Sequence, residues 1–265
     1  MKKSVFCFSL FLTLLCCSPS KGHDTWIEAG PLVQQLGEYT YVNLMLGNHG
    51  NEHRDFKLAS KITLTHCTLT CTTPSATVLD LKPRIIDMGS AAKEGYWAAR
   101  CDLMEPGVHE FLHTLNALHG TVKAVKSAKT YVIAEGASSS PAATQFQPKV
   151  LGLGLELQLL SNLNQVAAGS PLKIQVLRSG KPLADARVTF VPRGVVLAEG
   201  VDSKYEKMSD SKGIVSFTPD QGNVVLAIVH HVDESEKGEG FERTHYGAAM
   251  VLPVRNKPSV QVERQ

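Results

Sequence analysis

Short apolar runs that alternate with polar residues, cut apart every few positions by Gly, Pro, Asn and Asp, are the feature that most limits what this 265-residue chain can fold into. Alternation marks a strand buried on one face, whereas a helix needs apolar residues three and four apart. No compelling helical period runs through residues 23–265, so an all-β fold is expected. Residues 39–46 put Val42, Leu44 and Leu46 on one face and end in the loop Gly47-Asn48-His49-Gly50-Asn51-Glu52-His53. Residues 61–72 send Ile62, Leu64 and His66 to one side and Cys67, Leu69 and Cys71 to the other, until Pro74 stops the run. Residues 96–102 and 108–114 read as strands joined across Pro106-Gly107, residues 115–127 fit a short helix or a loop, and residues 129–134 read as a further strand.

The composition then changes. Residues 136–150 open with Gly136-Ala137-Ser138-Ser139-Ser140-Pro141, which reads as a linker. Beyond it, runs at 153–160, 172–177, 187–192, 213–218, 224–232 and 246–254 recur at the spacing of an immunoglobulin-like sandwich. The expected organisation is two β-sandwich units, the first at 23–135 and the second, immunoglobulin-like, at 151–255, with a loose polar tail at 256–265. A chain that is 43% hydrophobic can bury the cores this requires.

Residues 1–22 have the form of an export signal: Lys2 and Lys3, an apolar stretch from Val5 to Cys17, then small Ser20 and Gly22 before His23. The apolar stretch is shorter than the roughly 20 residues that span a bilayer. Leu14-Leu15-Cys16-Cys17 offers a second route, lipid attachment at Cys17, which would leave no amine at His23. A periplasmic or extracellular protein with no membrane span in its mature part is expected. Basic and acidic residues nearly cancel, 27 against 25, so no nucleic-acid footprint is expected.

Three cysteines remain after the signal, Cys67, Cys71 and Cys101. On one strand Cys67 and Cys71 would stand about 13 Å apart, beyond the roughly 7 Å limit for Cα atoms of a disulfide. One of them can therefore pair with Cys101, a Cys67–Cys71 bridge needs a turn, and three buried free thiols are the alternative.

All ten histidines lie after the signal. Imidazole is the commonest side-chain ligand of Zn, Cu, Ni and Fe. Cleavage after Gly22 would put an α-amine and an imidazole on His23, a two-nitrogen chelate, and an extended Trp26-Ile27 would anchor it on a core. His49 and His53 share a loop that can fold both rings toward one ion. His109 and His113 fall on one strand face too far apart to share an ion, His119 carries no signal of its own, and His66 alternates with apolar residues as a half-buried strand residue would. His230 and His231 point to opposite faces, so only one can serve a given site, and a hairpin would bring His245 near them. No G-x-S-x-G elbow, H-E-x-x-H helix, phosphate-binding glycine loop or C-x-x-C is present, so an enzyme is not expected. The exception weighed is a copper oxidase built on an N-terminal histidine.

The start His23-Asp24-Thr25-Trp26-Ile27-Glu28 resembles that of an exported domain-of-unknown-function family described as periplasmic components of cobalt and nickel uptake systems. Leu46-Gly47-Asn48-His49, residues 127–132, residues 152–160, residues 180–186, Ser209-Asp210-Ser211-Lys212-Gly213, Val229-His230 and Tyr246-Gly247-Ala248-Ala249 are similar to it in order. The resemblance implies an exported β-sandwich protein that handles a divalent transition metal, with His23 and His49 as the positions carried over. The expected function is binding of Ni(II), Co(II) or Cu(II) by His23 and His49 with one of His230, His231 or His245, and delivery to a membrane metal transporter. A structural or adhesive sandwich that binds a protein or glycan, with incidental histidines, is the alternative.

Overall fold

The structure, a computed structural model, describes residues 23–47, 54, 56–136 and 148–256. The expected signal segment, His49 and His53, most of the expected linker and nearly all of the tail lie outside the described residues.

Among the described residues the chain forms strands and short 3-10 turns, with no α-helix. The first half contributes β1 (Asp24–Glu28), β2 (Val33–Gln35), β3 (Tyr39–Gly47), β4 (Leu58–Ser60), β5 (Cys67–Thr72), β6 (Val78–Asp80), β7 (Ile85–Asp87), β8 (Trp97–Asp102), β9 (Gly107–His119) and β10 (Val122–Glu135). The second half contributes β11 (Glu156–Leu159), β12 (Leu172–Arg178), β13 (Lys181–Pro182), β14 (Arg187–Pro192), β15 (Glu206–Met208), β16 (Ile214–Phe217), β17 (Asn223–Asp233) and β18 (Arg243–Val254).

Two expectations change. The run at 61–72 begins as a 3-10 turn over Leu64–His66, so the strand starts only at Cys67 and His66 is exposed. Residues 115–127 are neither helix nor free loop: β9 and β10 continue through them as one long hairpin, closed by Gly120-Thr121 with Gly120 at φ +59°. The tip of that hairpin is at most half-buried on either face, which is why its sequence loses the apolar alternation.

Three sheets stack. A nine-stranded sheet runs β15-β14-β17-β18-β10-β9-β5-β6, with β2 also on β10. One face carries β1, β3, β8, β7 and β4, and the other carries β11, β12, β13 and β16. In the second half β11, β12 and β16 face β15, β14, β17 and β18, and the chain crosses between these sheets after β13, after β15 and after β16. That two-sheet Greek key is an immunoglobulin-like arrangement.

The halves expected from the sequence share the central sheet. β10 and β18 pair in parallel from Val122↔Arg243 to Lys129↔Met250. Both strands are buried on both faces. Tyr131, Ile133, Ala248 and Met250 enter one core, and Ala128, Val132, Ala249 and Val251 enter the other, as Val229 and Ile228 of neighbouring β17 do in turn. Strands covered on both sides read as near-continuous apolar runs, as Val224 to Val229 does. Each Val, Leu or Ile so buried stabilises the fold by about 1.5–3 kcal/mol.

Candidate functional site

Strand β1 is buried at Asp24, Thr25, Trp26 and Ile27, because it lies against the joint of β10 and β18. Trp26 and Ile27 both enter the second core, at 1% and 0% exposure, so the anchor expected for His23 is present on two side chains. The Trp26 ring meets Phe56 edge-on at 6.3 Å, and its Nε1 donates to Glu28 Oε1 at 2.9 Å. Glu28 Oε2 accepts from Arg193 Nη2 at 2.5 Å. Gly47, paired with Asp24, has to be glycine: a Cβ there would lie 2.6 Å from the Trp26 ring and 2.5 Å from the Lys57 carbonyl oxygen.

With Trp26 seated, His23 is exposed at the head of β1 and the carboxylate of Asp24 is held inside. Asp24 Oδ1 lies 2.6 Å from His230 Nε2 and 3.6 Å from Lys126 Nζ. His230, Gly247 and Lys126 stand in register on β17, β18 and β10. Gly247 clears the way for Lys126, since a Cβ there would lie 2.7 Å from Lys126 Cδ. A buried carboxylate is tolerable only when paired. Here an ammonium group and an imidazole supply the pairing.

The hairpin β17–β18 pairs His245 with Val232, which puts His245 on the same face of the sheet as His230. Burial first, then the Arg243 and Lys126 charges, lower the pKa of His245, so its ring is neutral near pH 7. His231 is on the opposite face, paired with Tyr246 and 6.4 Å from its ring. Of the two neighbouring histidines, His230 is therefore the one beside Asp24. His49 lies outside the described residues; β3 ends at Gly47, which pairs with Asp24. The chain re-enters at Arg54, whose guanidinium pairs with Glu206 at 2.9 Å and whose carbonyl accepts from Leu197 N.

The remaining described histidines are elsewhere. His109 and His113 are core residues of β9, and burial pushes the His113 pKa down to about 4 while its Nδ1 lies 2.8 Å from the Thr68 carbonyl. His66 and His119 are exposed. Among the described residues no three His, Cys, Asp or Glu side chains are gathered closely enough to hold a metal ion. What the described residues show is a pair, His230 on buried Asp24, with His245 on the same sheet face and His23 next to Asp24 in the chain.

Sequence reasoning missed Asp24 and Lys126. The available signal was the charge: Lys126 and Lys129 stand among small and apolar residues in the buried part of β10, and their odd spacing sends them to opposite faces. Lys126 turns to Asp24, and Lys129 pairs with fully buried Glu156 at 2.7 Å on the other face.

The family model described as "Domain of unknown function (DUF4198)" matches residues 20–233. The chain belongs to this family. DUF4198 carries no activity in its description, and no curated protein matches the chain. Solved structures similar to this DUF4198 protein include the Yersinia pseudotuberculosis adhesin InvE, 13% identical over 88% of this chain and 59% of that one, TM-score 0.22. A marsupial T cell receptor is 11% identical over 79% of this chain and 59% of its own, TM-score 0.26. A Salmonella alpha-2-macroglobulin reacted with methylamine is 12% identical over 89% of this chain and 15% of its own, TM-score 0.28. This chain spans less than two thirds of each of the three, and likenesses at these scores carry no argument. No described helix is long and apolar enough to cross a membrane.

Proposed function

We propose that this DUF4198 protein is an exported binder of a divalent transition metal, Ni(II), Co(II) or Cu(II), which it delivers to a membrane transporter or partner protein. The observation that carries the reading is the contact of His230 Nε2 with buried Asp24 Oδ1 at 2.6 Å, next to His23. Metal-binding histidines commonly bond through their second ring nitrogen to a carboxylate, which fixes the ring and raises its basicity. With Nε2 on Asp24, His230 has Nδ1 for a metal, and its side chain is 46% exposed, so an ion can reach it.

His23 would add its imidazole and, after cleavage, its amine, whose ordinary pKa of about 8 lets a metal displace the proton near neutrality. His49, the other position carried over from the family resemblance, would add a further imidazole. Neutral His245 is a further donor on the same face. A set rich in nitrogen favours Cu(II) or Ni(II).

Calorimetric titration of mature protein beginning at His23 tests the reading. One-to-one binding of Ni(II), Co(II) or Cu(II) is expected. His23→Ala and His230→Ala are each expected to abolish tight binding, and Asp24→Asn to weaken it about 10- to 100-fold. Unchanged affinity in the two histidine variants would overturn it.

A second reading, an adhesive sandwich, is favoured by the solvent side of β3 and β8. Tyr39 and Tyr41 are 49% and 43% exposed there, and Arg100 stacks on Tyr39 at 4.2 Å. Exposed aromatic and arginine side chains are typical contact residues. That reading requires the histidine variants to leave partner binding intact.

A further inference from the structure

Strands β5 and β8 belong to different sheets and face one another across the second core. β5 turns Cys67, Leu69 and Cys71 inward, and β8 turns Ala99 and Cys101 inward. Cys71 and Cys101 are both 0% exposed, turned into the same core from its two opposite sheets, and their thiols are neighbours there. Cys67 is four residues back along the extended β5, where its Sγ donates to the Leu64 carbonyl at 3.2 Å. No turn separates Cys67 from Cys71, so a bridge between these two is excluded.

We propose that Cys71 and Cys101 form a disulfide that staples the two sheets of the first sandwich, leaving Cys67 as a thiol. The inference rests on the export reading for its oxidant, a disulfide-bearing thiol oxidase or glutathione disulfide. One thiolate attacks the oxidant's disulfide and releases a thiol. The second then attacks the mixed disulfide, forming the Cys71–Cys101 bond and releasing the other thiol. Two protons leave the cysteines, and two electrons reduce the oxidant to two thiols. Both sulfurs are sealed in the folded core. Oxidation therefore precedes closure of the sheets, and the finished bond is shielded from reductants.

The test is refolding of the denatured, reduced protein in a glutathione redox buffer, then alkylation under denaturing conditions without reduction, digestion and mass spectrometry. Residues 67, 71 and 101 are expected to give one alkylated cysteine, Cys67, and a linked Cys71–Cys101 peptide. Cys67→Ser should keep the link, whereas Cys71→Ser and Cys101→Ser should each lose it. Three alkylated cysteines, or a link through Cys67, would overturn the pairing. The same digestion of protein isolated from cells separates the two readings: a bond formed in glutathione buffer but absent from cells sustains the pairing and sinks export.

Discussion

At the scale of single residues, burial decides the chemistry of each histidine. His113 sits wholly inside β9 with its pKa pushed down to about 4, whereas an exposed imidazole titrates near 6.5. Above about pH 6.5 the ring is neutral folded or unfolded, and stability is unaffected by it. As pH falls from 6.5 toward 4, the unfolded chain takes the proton and the folded one refuses it, so stability declines by about 3 kcal/mol and then levels. His113→Gln is expected to remove that part of the decline, measured from urea midpoints between pH 7 and pH 4. The sequence sets His113 apart from a ligand only by its distance from His109 along one strand face. It does not reveal that His230 bonds to Asp24, because the two are separated by 206 positions and meet only when β1 settles on the joint of β10 and β18.

At the scale of elements, the strands with one clean apolar face were legible: β3, β12 and β14 lie close to the alternating runs that announce them, and β17 to its unbroken apolar run. Legibility failed where a run had no flat surface beneath it. Leu64 alternates correctly with Ile62, yet the chain turns through a 3-10 bend there before joining β9 at Cys67. The short strands β13 and β15 are too brief for a period to show. Gly47 is the element-scale hinge of the site, since β1 and β3 can close on Trp26 only without a side chain there. Gly47→Ala is expected to cost about 1–3 kcal/mol from overpacking and to loosen metal binding as well. Chemical denaturation and metal titration of this variant measure the two effects.

At the scale of the whole molecule, the parallel pairing of β10 with β18 makes one sheet of strands from both halves, and Lys129–Glu156 ties β10 to β11 within the sealed interior. Unfolding is therefore expected as a single transition, with calorimetric and van't Hoff enthalpies in agreement; two resolved transitions would contradict the shared sheet. Lys129→Met, which leaves the Glu156 carboxylate buried without its cation, should lower stability by about 3–5 kcal/mol, and adding Glu156→Leu should restore most of it.

From the amino-acid order alone follow the all-β class, the strand faces, the alternation that sends His230 and His231 to opposite faces, and the distance that keeps Cys67 from Cys71 wherever one strand carries both. These are consequences of the two-residue period of an extended chain, a local property written into neighbouring residues. The folded molecule alone settles that the halves share a sheet, that Asp24 lies between His230 and Lys126, and that Cys71 meets Cys101. Those contacts join residues far apart in the chain, and their partners are set by which sheets stack, which no local pattern encodes.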